Sequence, residues 1–373
     1  TRVVAHTIKT YSKYTFDYPY PVAISVHTDR IGMEYPMICF NGGRPSADGT
    51  YSKRTKYGMI GVIIHEVGHN FFPMIINSDE RQWTWMDEGL NTFLQYQTER
   101  AWTDESGKAF PSRRGPAKLI VPYMGGDKRY ISPIMSNSES IYQFGNNAYG
   151  KPCTALNILR ETVMGPELFD YSFKIYANRW MFKHPSPADF FRTMEDASAM
   201  DLDWFWRGWF YTTDHCDVAI TDVKEYRVNF NAPKDGTSKK KASKMVKKQA
   251  KQGTFDPILQ SIVNAENPAQ AYTYVKDHIS DTRKDKLNEE AYFYQVDLEM
   301  IGGLVMPVIF KLEYTDGTTE EIRLPAEIWK MQNEQLQETV SKVLITNKEV
   351  VSIVLDPNLE TADTDTSNNV WNR

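Results

Sequence analysis

His65-Glu66-Val67-Gly68-His69 decides how this chain is read, with Glu88 following in Trp85-Met86-Asp87-Glu88-Gly89. The five residues follow Met59-Ile60-Gly61-Val62-Ile63-Ile64, an apolar run that reads as a buried helix. Two surface histidines on a solvated helix would not follow so apolar a run. On a helix, residues four apart lie one turn above each other on the same face. His65 and His69 therefore present two imidazole nitrogens to a common point, and the Glu66 carboxylate between them reaches a water held there. A catalytic zinc takes three protein ligands and keeps one position open. Glu88 is the natural third donor. The segment between His69 and Glu88 is long enough to finish a helix, turn at Asn77-Ser78-Asp79-Glu80 and return on a second helix starting near Trp85. Asp87 adjoins Glu88 but falls on another face of a regular helix and receives no role. Gln95, two turns beyond Glu88, returns to the ligand face, where it is either an acceptor for His69 through its amide oxygen or an ordinary, partly exposed helix glutamine.

With 373 residues, of which 41% are hydrophobic and 24% charged, the chain is long enough for two or three domains with a sizeable core. A formal net charge of −5 gives no pointer to a nucleic-acid partner, and none is expected. No apolar run approaches a membrane span. The first residue is Thr, without initiator Met or signal peptide, so the chain reads as a fragment or a trimmed protein. Cys39, Cys153 and Cys216 lie far apart, which argues against a disulfide framework and for three buried small apolar residues.

In chain order, residues 2–14 form a helix stopped by Asp17-Tyr18-Pro19-Tyr20-Pro21. Val22–His27 and Ile31–Phe40 read as strands. Pro36 cannot donate to a ladder, so the second strand belongs at a sheet edge, where an extended peptide can be held through its backbone. Glu34 in that strand is either an ordinary solvent-facing residue or an anchor for a positive group on the peptide; the apolar surroundings favour the anchor. Residues 104–147 are irregular, and helical segments follow from Asn146 onward. The aromatic block Leu202–Tyr211 is core. After Asp217 the character changes: a strand over 218–230, then a lysine run from Lys239 to Lys251. Without interleaved aromatics, that run reads as a solvated helix face or linker rather than a nucleic-acid patch. Residues 291–356 read as a compact β unit with strands at 292–296, 304–314, 320–324, 340–346 and 349–355, and a hairpin turn at Asp316-Gly317. Asp356, Asp363 and Asp365 fit no calcium loop and are taken as surface residues.

These motifs resemble the gluzincin aminopeptidases related to aminopeptidase N and leukotriene hydrolase, over about residues 20–215. His65-Glu66-x-x-His69 with Glu88 is similar to that family's zinc signature. Ile31-Gly32-Met33-Glu34-Tyr35 resembles its exopeptidase motif G-A-M-E-N, with Tyr35 in place of Asn. Tyr149-Gly150-Lys151-Pro152 resembles its Y-x-K-G segment, with Pro152 in place of Gly. The acidic residue often found seven positions past the third ligand is Gln95 here.

The resemblance implies an α+β fold: a thermolysin-like, two-lobed zinc peptidase domain over 1–217, a strand with a Lys-rich linker over 218–290, and a small β-sandwich with a polar tail over 291–373. It implies one zinc per chain on His65, His69 and Glu88, with Glu66 as general base and Tyr149 stabilising the oxyanion. Gly32, Met33, Glu34 and Tyr35 would contact the peptide, and Glu34 would pair with its α-ammonium. The implied activity is hydrolysis of the first peptide bond of a peptide with a free N-terminus. A preceding β domain is expected in the full-length protein, and an exported location follows by resemblance. Two other readings stay open: a zinc endopeptidase, against which Glu34 argues, and an inactive zinc-bearing module that captures peptides.

Overall fold

Ser52 accepts a hydrogen bond from the Thr55 amide (3.0 Å) and so starts helix α2, Lys53–Gly68. In this computed structural model, residues 1–29, 31–103, 107–228, 238–255, 260, 263, 291–330 and 338–373 are described. They divide into two units. The first is Thr1–Cys216 with Gly302–Pro307 and Asn358–Thr364; the second is Asp217–Ile301, Val308–Pro357 and Asp365–Arg373. Helix and sheet segregate along the chain, which makes the fold α+β.

In the first unit, α1 (Arg2–Tyr14) packs on α2 and α3 (Leu90–Arg100). The fully buried Tyr11 donates to Asn91 Oδ1 at 2.8 Å. A Cβ on Gly68 would lie 2.3 Å from the Tyr11 hydroxyl and 2.4 Å from Asn91 Oδ1. Glycine inside the His-Glu-x-x-His stretch is thus what lets these helices close up.

Three short strands flank α2: β1 (Ile24–His27), β2 (Gly32–Tyr35) and β3 (Ile38–Asn41), in the order β1-β3-β2. The single strand expected over 31–40 is instead a hairpin. Pro36 and Met37 form its turn, Met37 has φ 65°, and the Met37 amide donates to Asn70 Oδ1 at 2.8 Å. Proline lacks a ladder donor but pre-sets the φ that the second residue of a turn requires, so the chain reverses there. β2 is terminal in the sheet, as expected, but Pro36 lies in the turn outside it, so a missing ladder donor is not the cause.

Beyond α3, short helical turns and α4 (Val121–Met124) occupy part of the stretch read as irregular. Helices α5 (Lys151–Ile158), α6 (Pro166–Trp180), α7 (Pro187–Ser198) and α8 (Asp203–Trp206) follow, and a reciprocal Ser186–Asp189 capping box starts α7. The aromatic block is core: Phe205, Trp206, Trp209 and Phe210 are buried. Trp85, three residues before Glu88, packs its ring on Phe210 (4.7 Å between centroids) and parallel to Phe191 (5.8 Å). Truncating such a ring costs about 3–5 kcal/mol, so the block fixes the segment that carries Glu88. All three cysteines are free and buried.

The second unit holds two four-stranded sheets. One has the order β5-β4-β6-β9, with β4 Val218–Val228, β5 Thr254–Phe255, β6 Tyr292–Met300 and β9 Thr339–Thr346. The other has the order β11-β10-β7-β8, with β7 Val308–Tyr314, β8 Thr319–Leu324, β10 Val350–Leu355 and β11 Val370–Asn372. β4 pairs antiparallel with β6 from Val218↔Met300 to Arg227↔Tyr292. The strand assigned to a segment separate from 291–373 therefore shares a sheet with it. The end of that strand and most of the rest of 218–290 lie outside the described residues. The lysine run is helix α9 (Lys239–Ala250), capped by Ser238, with Ala242 buried and the lysines outward.

The strand expected from Leu304 starts only at Val308. Gly303 instead bridges His215, and Leu304 lies against Gly208, where a Cβ would sit 2.5 Å from Leu304 Cδ1. Leu304 and Met306 are fully buried there, a packing that strand alternation does not foresee. Asp356 and Asp363 are 5% exposed and not surface residues, because local backbone pairing draws them in: the Asp356 amide donates to Ile309, and Asp363 bridges Cys216. Asp365 caps the turn at Ser367.

Candidate active site

The last turn of α2 carries His65, and His69 is its C-cap residue; their rings stand at 86° with the Nε2 atoms 3.0 Å apart. Glu88 comes from a wide, π-helical turn, Trp85–Gly89, that leads into α3. Its Oε2 lies 3.0 Å from His65 Nε2 and 3.4 Å from His69 Nε2. Three donors bound tetrahedrally at zinc distances would be about 3.3 Å apart. The spacing, together with two imidazoles and one carboxylate, fits zinc.

The remote nitrogens fix the tautomers. His65 Nδ1 donates to Gln95 Oε1 at 2.9 Å. His69 Nδ1 donates to the Phe72 carbonyl at 2.8 Å, with Asp87 Oδ1 alongside at 3.0 Å; the carbonyl is the aligned acceptor. These acceptors favour a proton on each Nδ1, which leaves both Nε2 atoms to face the common centre as donors to a metal. Glu34, His69 and Asp87 also come within 4.8 Å of one another, but they share His69 with the better-formed set.

Gln95 was expected on His69, and it serves His65 instead. α3 runs antiparallel to α2: Asn91 Nδ2 donates to the His65 carbonyl (2.9 Å), and Gln95 Nε2 reaches the Gly61 carbonyl (3.4 Å). Each step of four along α3 thus moves back one turn along α2, so Gln95 lies on the Gly61 side of Asn91 and meets the ring of His65, not that of His69. Asp87, given no role by helical spacing, lies beside His69. The wheel that turned it away assumes a regular α-turn, and 85–89 is π-helical.

Electrostatics follow burial and neighbours. Burial lowers the His65 pKa, and the adjacent His69 adds to this. Burial also opposes charge on His69, yet Asp87 and Glu88 beside it drive its pKa well above the ordinary value. Burial would raise Glu88, but the two histidines overcome it and hold the carboxyl below the usual range. Glu66 is 5% exposed, and burial pushes its pKa up to about 8, against the opposing pull of His69. Its Oε2 has no hydrogen-bond partner among the described residues. Such an oxygen is costly to bury and ready to take a proton.

Gly32 of β2 allows the edge strand to lie on that carboxylate: a Cβ there would be 2.6 Å from Glu66 Oε1. Gly32, Met33 and Glu34 line the same small cavity as His65, Glu66, His69, Glu88 and Tyr149. Tyr35 does not reach it. Alternate strand residues face opposite ways, and Tyr35 lies with Met33 and Phe40 in a separate hollow, 49% exposed.

Tyr149 closes the site from the π-helical turn Gly145–Gly150 that precedes α5. Its hydroxyl donates to Glu88 Oε1 at 2.6 Å, its ring stacks on His65 at 5.8 Å, and the Arg114 guanidinium lies 4.6 Å above it. Burial, then the Glu88 charge, pushes its pKa far up, so the hydroxyl stays a donor. Glu80 and Arg114 also line the cleft. Neither stands in a motif, and only the folded chain brings them here.

Comparison with known proteins gives the family. The pattern of the Peptidase family M1 domain matches residues 2–209. "Probable aminopeptidase 2" of Sulfurisphaera tokodaii is 23% identical over 266 residues, covering 68% of this chain and 32% of that protein. "Leucine aminopeptidase 2" of Aspergillus niger is 26% identical over 208 residues, covering 52% and 32%. This chain thus spans about a third of the length of these relatives. Aminopeptidase A of Legionella pneumophila, solved with aspartic acid, superimposes with a TM-score of 0.54 over 97% of this chain and 34% of that one, at 11% identity, a likeness of fold. With the family pattern running over more than half of its length, this chain belongs to peptidase family M1.

Proposed function

We propose that this chain is the catalytic part of a zinc-dependent aminopeptidase that removes the first residue of peptides with a free α-amine. The observation that carries this reading is the convergence of four groups on one cavity: the His65–His69–Glu88 donor set, the unpaired Glu66 carboxylate, the Tyr149 hydroxyl and Glu34 on an edge strand. His65, His69 and Glu88 would hold one zinc per chain, which would supply a water with its pKa lowered toward ~7 and a Lewis acid for the carbonyl.

The edge strand β2 holds the peptide extended through its backbone. Glu34 pairs with the α-ammonium and fixes the register, so that the first peptide bond lies beside Glu66. Glu66 accepts the proton of the attacking water as the C–O bond forms. It then delivers that proton to the departing amine nitrogen as the C–N bond breaks. The Tyr149 hydroxyl, now donating to Glu88 Oε1, turns to the carbonyl oxygen as negative charge grows there. The Gln95 and Phe72 acceptors keep both imidazoles in the donor tautomer.

We read the first unit as thermolysin-like and two-lobed. We read the second as a β-sandwich, since the Val350 amide of one sheet donates to the Tyr294 hydroxyl of the other at 2.9 Å. We propose in addition that a β domain precedes this chain in the full-length protein. The test compares matched free and N-acetylated peptides with metal analysis of the same sample. Stoichiometric zinc with cleavage of the free peptides alone is the expected result. Equal cleavage of both would make the protein an endopeptidase, and zinc without cleavage a binding module.

A further inference from the structure

Two cavities meet at the donor set, and their charges are opposite. The smaller, about 360 Å³, holds Glu34, Glu80, Asp87 and Glu88, with Arg81 as its cation. Arg81 is already paired with Glu139 at 2.7 Å. The larger, about 1130 Å³, is lined by Lys53, Arg54, Lys108, Arg113 and Arg114. The cavities share His65, Glu66 and Tyr149 and no other residue. The reacting groups therefore sit on the boundary where the lining changes sign.

Lys53, Arg54, Arg113 and Arg114 on the positive side have no evident role in folding. Lys53 and Arg54 occupy the first turn of α2, which has no acidic residue, and a helix N-terminus disfavours cations there. Of the other carboxylates in this cavity, Glu99 is 5% exposed, accepts from Gln95 Nε2 at 2.8 Å, and is pushed toward its neutral form by burial. The half-buried Arg114 has one face over the Tyr149 ring. Among the described residues neither Arg113 nor Arg114 has a carboxylate ion-pair partner. A guanidinium stacked on its face keeps its N–H edge free for a bidentate acceptor.

We propose that the larger cavity receives the leaving side of the substrate, and that Arg114, with Arg113, binds the free C-terminal carboxylate of a short peptide there. The proposal rests on the aminopeptidase reading above and deepens it. The substrate class becomes short zwitterionic peptides, held by the ammonium on the carboxylate side and by the carboxylate on the guanidinium side. Lys53 and Arg54 act at longer range, raising the positive potential that draws the carboxylate in.

Zinc-loaded protein assayed with Leu-Gly-Gly, Leu-Gly-Gly-amide and Leu-Gly-Asp-amide tests this. The free acid should show a KM about tenfold or more below the amide at low ionic strength, with the gap shrinking in about 0.5 M salt. Arg114→Gln and Arg113→Gln should each narrow the acid-to-amide KM ratio to within about threefold. The ratio is read within each protein, so a loss of active fraction cancels. Equal KM values for acid and amide in the parent would overturn the proposal. So would a preference for Leu-Gly-Asp-amide over Leu-Gly-Gly, which would mean that side chains are read instead. If none of the three peptides loses its leucine, the aminopeptidase reading fails first and this proposal with it.

Discussion

The two units of this chain handle polar groups in opposite ways. The first buries Glu66, Asp87, Asn91 and Lys151 at 5% exposure or less. The second keeps its ion pairs at the rim: Lys224–Asp297, Arg323–Glu321 and Lys348–Asp316 are all partly exposed. Inward positions of its strands are apolar, as in the alternation of β7, where Ile309, Phe310, Leu312 and Tyr314 are buried while Lys311 and Glu313 are exposed. Thr346 in β9, and Asp217, Asp356 and Asn369 beside the strands, are buried polar residues among those described there. Charge buried without full pairing costs stability. It gathers in the unit where perturbed groups can do chemistry and is sparse in the unit built on sheet packing.

The largest effect expected from this contrast is at Glu66. Glu66→Gln removes the base but no zinc donor, so kcat should fall about 10³–10⁴-fold with zinc content unchanged. It also removes a buried carboxyl whose oxygen lacks a partner, so thermal stability should hold or rise. Activity and stability moving in opposite directions, read by turnover and melting on one sample, would sharpen the contrast; a drop in both would break it.

Phe310→Ala in the second unit is the converse. It should cost about 3–5 kcal/mol in denaturant unfolding, while zinc content and kcat per folded molecule stay at parent values. A changed kcat would mean that the sheets take part in the chemistry.

Lys151 tests the buried charge in the first unit. It is 1% exposed, its ammonium donates to the Thr212 carbonyl at 3.2 Å, and burial lowers its pKa to about 7, with Lys128 adding to the shift. The folded form sheds this proton near pH 7, whereas the unfolded chain keeps it until about 10.4. Between these values the unfolded state binds more protons, so folding stability rises with pH. Below pH 7 both states are protonated, and the parent carries the full desolvation cost. Lys151→Met should therefore stabilise by about 1–3 kcal/mol at pH 6, after losing one hydrogen bond. That advantage should shrink as pH rises from 7 toward 10. Urea unfolding at three pH values measures it, and a pH-independent difference would show that Lys151 is not the titrating group.

The smallest effect is at Gln95. Its oxygen accepts from His65 while its amide donates to Glu99 at 2.8 Å. Gln95→Glu would strengthen the first contact and set two carboxylates against each other in the second. Zinc affinity should change by less than about tenfold while the melting temperature falls. A large gain in affinity without loss of stability would mean that Glu99 is protonated and donates to the new carboxylate.

The donor set was legible in the residues themselves. Four-residue spacing on a helix is a local property, the apolar run before it sets the helix in the core, and Glu88 follows within reach. The aromatic block likewise carried its own burial, whereas Pro36 marked a turn rather than a ladder position. What surrounds the donors was not legible, because it depends on register between elements distant in sequence. The antiparallel run of α3 along α2 moved Gln95 from His69 to His65, and the widened turn at 85–89 brought Asp87 beside His69. The separation of the lining charges into two cavities is also tertiary: residues near 34, 53, 80 and 114 meet only when the chain closes. Local periodicity is written in neighbouring residues, whereas register and cavity are set by how side chains fill the space between elements.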